Sequence, residues 1–321
     1  MSRWRPSVPA LRPRARAGSG DDAAERARVL SDADVPEALA VCAGDPVAST
    51  LAAARLAVAQ HAGLHAAGGQ AWGFPAVGPL EAVCWAGANL VPVVPASLDA
   101  DRARTAVAAF AALARHAGRR SSSVVGERDA VLALWDLLAP HWPAPREIRA
   151  NQPSLAIDRD PDVEPDPHVR RSVPAEVPVV LPACVRMFTE EVGYSPVEGG
   201  GRAYEERVRS LVLAGRSFVR MAAEPGRSPH VVFKAELGAV TPRVAQVQGV
   251  WVDPRYRGQG IAAPGMAAVV RLARGPGPAD AARGAAPPVV SLYVNDYNAA
   301  ALATYRRVGF EQVGTYATVL F

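Results

Sequence analysis

The period of the hydrophobic pattern changes repeatedly along the chain, and each change marks an element. Residues 246–252, QVQGVWV, are β-branched and alternating, which predicts a strand. Asp253-Pro254 ends it, because proline supplies no ladder donor. An apolar run at helical spacing then extends over 261–273. Before this stretch, strands are predicted near 169–173, over 217–222 and over 230–240, with helices over 177–192 and 202–214. After it come a strand over 289–295, a helix over 298–308 and closing strands to Phe321. The first half reads as a short strand before Ser31 and Asp32, which cap a helix, then a second helix, LAAARLAVAQHAG. A strand pair with Gly/Pro turns follows, and two further helices, TAVAAFAALARHAG and RDAVLALWDLLAP, flank a short strand at 122–125.

The two halves thus repeat one order of elements. Between them lies DRDPDVEPDPH (158–168), where acids alternate with prolines; it reads as an extended connector with too few apolar groups to pack. The expected organisation is an Arg/Pro-rich disordered tail over 1–25, a domain over 26–157, the acidic linker over 158–168 and a second domain over 169–321. The segment GPGPADAARGAAPP (275–288) reads as a low-complexity loop. The fold class is α/β (α+β), with a mixed, mostly antiparallel sheet flanked by helices.

Charge narrows the function classes. The net charge of +4 arises from five arginines and no acid in residues 1–20, which leaves the remainder near −1. The folded part therefore offers no basic surface for nucleic acid. No run of 18 uncharged apolar residues exists, so no membrane span is predicted. Cys42, Cys84 and Cys184, odd in number and set among apolar neighbours, read as buried reduced thiols of a cytoplasmic protein; a thiol nucleophile is the alternative reading. No metal site is expected.

The candidate chemistry starts at the strand-to-helix turn. Arg255, Gly258 and Gly260 are spaced R-x-x-G-x-G. Glycines there let several N–H groups converge, and the helix N-terminus adds orphan donors and its dipole, favouring an anion by roughly 0.3–2 kcal/mol. Arg255 and Arg257 stand where a phosphate needs counter-charge. By itself this spacing also fits a solvated turn. Neither G-x-x-x-x-G-K-[ST] nor G-x-G-x-x-G occurs here, since position 263 is alanine.

Downstream, NDYNAAALATYRRVGF (295–310) supplies a second motif, N-x-x-A-x-x-x-Y-x-x-x-G-F. Together the two segments resemble the acetyl-CoA site of GNAT-family N-acetyltransferases, over roughly 165–321. The resemblance implies the GNAT acyl-CoA N-acyltransferase fold, and the repeated element order extends it to a tandem whose first lobe is degenerate. In that lobe the matching turn, ASLDADRAR, has no Gly-x-Gly and carries acids where phosphates would sit. The resemblance also implies acetyl-CoA as co-substrate. Its contacts would be Val250, Trp251 and Val252 on the strand, Arg255, Arg257, Gly258, Gln259, Gly260, Ile261 and Ala262 on the turn, and Asn295, Asn298 and Tyr305 downstream.

Chemistry gives those residues tasks. A backbone N–H of the strand would activate the thioester carbonyl. Tyr305 would protonate the leaving thiolate, since a phenol near 10 can donate to a thiol near 8.5 at modest cost. Asn298 and Tyr305, seven residues apart, share one helix face, though Asn298 also reads as a cap and Tyr305 as a half-buried aromatic. Glu236 is the candidate base, with a surface ion pair to Lys234 as its alternative role. Glu190, Glu191 and Tyr194 are acceptor-side candidates, equally compatible with a solvated helix end. The function expected is acetyl transfer from acetyl-CoA to a primary amine, on a small molecule or a protein. The alternative is a non-catalytic CoA-binding regulatory or assembly module.

Overall fold

The computed structural model describes residues 25–198, 200–223, 228–275 and 287–321. The tail over 1–24 and most of the loop over 275–288 lie outside the described residues. The first half contains β1 (Arg28–Val29), α1 (Val35–Cys42), α2 (Thr50–Ala62), β2 (Gln70–Phe74), β3 (Ala82–Ala86) and β4 (Asn89–Val93). It continues with α3 (Ala100–Ala117), β5 (Ser123–Glu127), α4 (Arg128–Leu138) and β6 (Glu147–Ile157). The second half contains β7 (Arg170–Arg171), α5 (Val177–Val192), α6 (Arg202–Leu213), β8 (Ser217–Ala222), β9 (His230–Val240) and β10 (Val244–Val252). It ends with α7 (Ala262–Arg274), β11 (Val289–Tyr293), α8 (Ala299–Val308) and β12 (Glu311–Leu320).

All these strands join one sheet, in the order β1-β2-β3-β4-β5-β12-β6-β11-β10-β9-β8-β7. Only β4–β5 and β10–β11 pair in parallel. The order exposes an exchange of closing strands. β6, from the first half, pairs with β11 and donates Leu155 and Ile157 to the core formed by β9–β11, α7 and α8. β12, from the second half, pairs with β5 and places Ala317 and Val319 in the core around α3 and α4. It also places Tyr316 in the core around α1 and α2. β6 and β12 pair with each other at the centre. Each fully buried Leu, Ile or Val contributes about 1.5–3 kcal/mol, so each half depends on the other for part of its core.

The acidic segment between the halves is not a free tether. Asp162 N–H donates to Val308 O at 2.9 Å, Asp166 N–H donates to Pro264 O at 3.0 Å, and the Asp166 carboxylate pairs with Arg220 at 2.8 Å. Proline spacing leaves these backbone donors free for tertiary partners; Asp160 and Asp166 find arginines on the second half, while Asp162 pairs with Arg159 of the segment itself. The segment thereby runs along α7 and α8 instead of extending into solvent.

Candidate functional site

The pairing of β10 with β11 sets up the site. It covers Val244–Gln246 against Val289–Ser291 and stops there, so the two strands part towards their C-terminal ends. On its other edge β10 pairs with β9, but the register steps from Gln248↔Glu236 to Trp251↔Lys234. Two residues, Gly249 and Val250, therefore oppose one, which is a β-bulge, and Gly249 takes φ +59. Val250 and Val252 pack partly buried against the core of the second half. Trp251 turns the opposite way, under α5, where its indole N–H donates to Glu190 at 3.3 Å.

The turn after β10 is built around its glycines. Gly258 and Gly260 adopt φ +76 and +75, and a Cβ at either would meet no atom within 4 Å, so the loop borders open space. Ile261 precedes α7 with no side-chain cap, and the first-turn N–H groups are left for another acceptor. Gly265 lets α7 lie close to the sheet, since a Cβ there would come within 2.9 Å of the Phe233 ring. Gln259 turns back onto Arg255 O at 3.2 Å.

The two arginines expected as phosphate counter-charge are already paired. Arg255 binds the buried Asp253 carboxylate at 2.9 Å, and Arg257 binds Glu190 at 2.6 Å. The Arg255 hydrogen bonds hold the Asp253 carboxyl at about 2, below the usual carboxylate range. What this turn offers an anion is therefore its backbone donors and the helix dipole, more than free guanidinium charge.

After β11, α8 begins at Asn298, whose Oδ1 accepts from Ala301 N–H at 3.1 Å, so Asn298 is a helix cap. Tyr305 lies two turns on, 8% exposed, with its ring edge-on to Phe310 at 6.0 Å. Its hydroxyl bonds to no described residue, and burial pushes its pKa well above the ordinary phenol value. Asn295 is held by Gln152 of β6, whose side-chain amide donates to it at 2.8 Å. Asn295 in turn donates to Tyr297 at 2.7 Å.

The acceptor-side candidates separate. Glu190 ties β10 to the glycine turn, as described. Glu191 faces Arg149 of β6, 9% exposed at its side chain, which contacts the Glu191 carboxylate at 3.6 Å and its carbonyl at 3.1 Å. Tyr194 stacks edge-on with Phe188 at 5.4 Å and lies under the Arg146 guanidinium at 5.0 Å. The first half thus reaches the acceptor-side candidates through Arg146 and Arg149, and Asn295 through Gln152. No sequence signal pointed to these residues, because Pro153 interrupts the stretch that carries them.

Glu236 is not on the surface. It is 5% exposed beneath α5, paired with the wholly buried Lys234 at 2.7 Å. The Cys184 thiol donates to the same carboxylate at 3.3 Å. Burial alone would raise its pKa, but the Lys234 charge outweighs that and holds it below the usual value. A saturated carboxylate of lowered basicity is poorly suited to take a proton from an amine, so the expected base and the expected surface pair both give way to a buried counter-ion. All three cysteines are buried and free, and burial lifts Cys42 and Cys184 to about 12, which leaves them protonated at neutral pH. Among the described residues no group of His, Cys, Asp and Glu could hold a metal, and no helix is long and apolar enough to cross a membrane.

In the first half, the helix N-terminus after β4 carries its own acid. Asp99 caps α3, accepting from Arg102 N–H at 2.8 Å, so a carboxylate already uses a first-turn donor there.

Residues 218–310 match the Acetyltransferase (GNAT) family, and residues 69–180 match a domain of unknown function (DUF4081), which runs through the acidic segment into α5. No curated protein matches the sequence. Among solved structures, a GCN5-related N-acetyltransferase from Sphaerobacter thermophilus is 18% identical with a TM-score of 0.53, over 91% of this chain and 93% of that one. A GNAT-family acetyltransferase from Colwellia psychrerythraea is 12% identical with a TM-score of 0.50, over 92% and 99%. A tandem GNAT protein from the clavulanic acid biosynthesis pathway is 12% identical with a TM-score of 0.51, over 92% and 98%. At such identities the likeness concerns the fold, which is the GNAT fold.

Proposed function

From the premise that residues 218–310 form a GNAT acetyltransferase domain, which supports acyl transfer in general, we propose that the protein is an acetyl-CoA-dependent N-acetyltransferase acting on a primary amine by direct attack. The observation that carries this is Tyr305, whose ring is buried in the core of the second half while its hydroxyl bonds to no described residue. A module that only bound CoA would have no need of an unpartnered phenol at that place.

The donor supplies an acetyl group as a thioester. Its pyrophosphate fits the N–H groups of 258–262, where the two left-handed glycines leave open space. The pantetheine arm fits the free edge of β10 beyond Gln246. Val250 N–H, outside the ladder to β9, is assigned as the donor to the thioester carbonyl as charge develops on its oxygen. Tyr305 O–H is assigned to the departing thiolate. Burial raises the phenol, but a thiolate in the same cleft is destabilised as well, so the gap between them stays modest. Deprotonation of the amine is assigned to solvent, because Glu236 is committed to Lys234. An amine with a pKa near 7.8 loses its proton at pH 7 for about 1 kcal/mol, whereas a lysine-like amine requires about 4.6 kcal/mol.

The test is a thermal-shift panel with acetyl-CoA, CoA and ATP, followed by thiol release with a library of amines. Stabilisation by acetyl-CoA and CoA, with amine-dependent thiol release, is expected. Stabilisation without release from any amine would favour the non-catalytic CoA-binding module.

A further inference from the structure

Lys234 is the only lysine in a chain that uses arginine at every other basic position apart from histidine. It is 0% exposed, on β9. Its Nζ contacts Glu236 Oε1 at 2.7 Å and donates to the main-chain carbonyl of Gly249 at 3.0 Å. Burying an ammonium is costly even when it is paired, so its place in the sheet calls for a physical reason.

That reason lies in the bulge. Gly249 and Val250 stand outside the β9 ladder, and the β11 ladder has ended at Gln246. The Gly249 carbonyl is therefore satisfied by a charged side chain in place of a strand. In a trans peptide the C=O and the following N–H point in opposite directions, so Val250 N–H is directed away from the Lys234–Glu236 pair. A cation at one end of the peptide enlarges its dipole and makes the N–H at the other end a stronger donor. The fit is close. A Cβ at position 249 would lie 3.2 Å from Lys234 Nζ and 3.3 Å from Glu236 Oε2, besides meeting the strained φ. A branched guanidinium could not replace the compact ammonium without displacing this peptide.

We propose that Lys234 is a positioning residue for acyl transfer, fixing and polarising the Gly249–Val250 peptide so that Val250 N–H is presented to the thioester carbonyl. Glu236 is its counter-ion, completed by the Cys184 thiol at 3.3 Å. The proposal rests on the acetyltransferase reading above, and the peptide itself can be observed without turnover.

The experiment compares wild type, Glu236→Gln and the double variant Lys234→Met/Glu236→Gln, which removes the ion pair while keeping its volume. Three quantities are read: kcat on the best amine, the acetyl-CoA Kd, and the ¹⁵N and ¹H amide shifts of Val250. The double variant is expected to fold, to bind acetyl-CoA within about 3-fold of wild type, and to lose about 10–10²-fold in kcat. That lies below the 10²–10³-fold typical of deleting an oxyanion donor outright. Its Val250 amide is expected to move upfield as the polarisation is lost. Glu236→Gln leaves the ammonium buried without its counter-ion, which favours the neutral amine, so its Val250 amide should move upfield as the lysine loses its proton with rising pH. A folded double variant with wild-type kcat or an unmoved Val250 amide would overturn the proposal, as would a Glu236→Gln amide that keeps its wild-type position at every pH. If the double variant does not fold, the Val250 amide of Glu236→Gln decides by the same rule. If wild type shows no transfer to any amine, the acetyltransferase reading fails, and the amide shift still tests the polarised peptide.

Discussion

Gln152 on β6 bridges the two halves of the chain: its amide nitrogen donates to Asn295 at 2.8 Å and its amide oxygen accepts from Thr318 at 2.6 Å. Gln152 belongs to the first half, and both partners belong to the second. It is 3% exposed, and the contact lies where β6 runs between β11 and β12. A residue remote in sequence from the glycine turn thus fixes the entry to α8, and with it the placement of Tyr305.

The exchange of strands predicts that the second half does not stand alone. A fragment beginning near residue 165 lacks β6, so β11 and β12 each lose a partner strand and the core loses Leu155 and Ile157. Those two side chains alone contribute about 3–6 kcal/mol, against a typical total of 5–15 kcal/mol. The fragment should show no cooperative melt and no acetyl-CoA binding, and co-expression with residues 25–164 should restore both. Cooperative melting of the isolated fragment would show the exchange to be dispensable.

Tyr305→Phe should lower kcat and kcat/KM together by roughly 10²–10⁴-fold while leaving acetyl-CoA affinity nearly unchanged, because in the proposed reaction the hydroxyl acts only once the C–S bond breaks. The ring contact with Phe310 survives, so Tm should move little. Steady-state kinetics with calorimetric binding checks this. A Phe variant with wild-type kcat would remove the residue from the chemistry.

Alkaline stability follows from buried phenols. Burial raises Tyr293 to about 12 and lifts Tyr305 and Tyr316 further. A raised folded-state pKa contributes stability that is fully present below the unfolded value near 10 and is lost as pH rises through the folded value. Stability should therefore hold up to about pH 10 and fall steeply above it. Absorbance at 295 nm and far-UV ellipticity should change together; a phenolate titrating near 10 for these three with the fold intact would contradict their burial.

Replacing Gly258 or Gly260 with valine should abolish stabilisation by acetyl-CoA. The φ values of +76 and +75 cost a β-branched residue about 1–3 kcal/mol, and the turn would relax away from its donors. In wild type, ligand at 100 times Kd should add about 2.7 kcal/mol, read by thermal shift. The variants should still fold, with an unliganded Tm lowered only by that backbone strain, since no atom lies within 4 Å of the new Cβ.

One acetyl-CoA should bind per chain. Asp99 occupies the cap that a second pyrophosphate would need, and the first half has no Gly-x-Gly there. Calorimetry returning two sites of similar affinity would refute a single site.

Much of the local structure was legible in the sequence because short-range physics sets it. The alternation of 246–252, the glycines at 258 and 260, the cap at Asn298 and the tyrosine two turns later all appear as strand, turn and helix. Each depends on a few neighbouring residues. The strand β6 was not legible. Pro153 cannot donate to a ladder and Glu147–Gln152 lacks a clear period, so nothing local marks the stretch as central in a sheet. It becomes a strand because two unpaired edges, β11 and β12, lie on either side of it. Charge shows the same limit. Arg255, Arg257 and Glu236 are identifiable as ionisable groups at suitable positions, but a charge becomes counter-ion, ligand or base only through the partner the fold brings to it. Asp253, Glu190 and Lys234 fill that role here, and Glu190 and Arg257 are 67 residues apart. The sequence by itself determined most of the elements, β6 excepted, and the glycine turn, through contacts that span one or two turns of chain. The tertiary structure decided which half completes which core and which charges are already neutralised, because both depend on pairings between segments that no local pattern encodes.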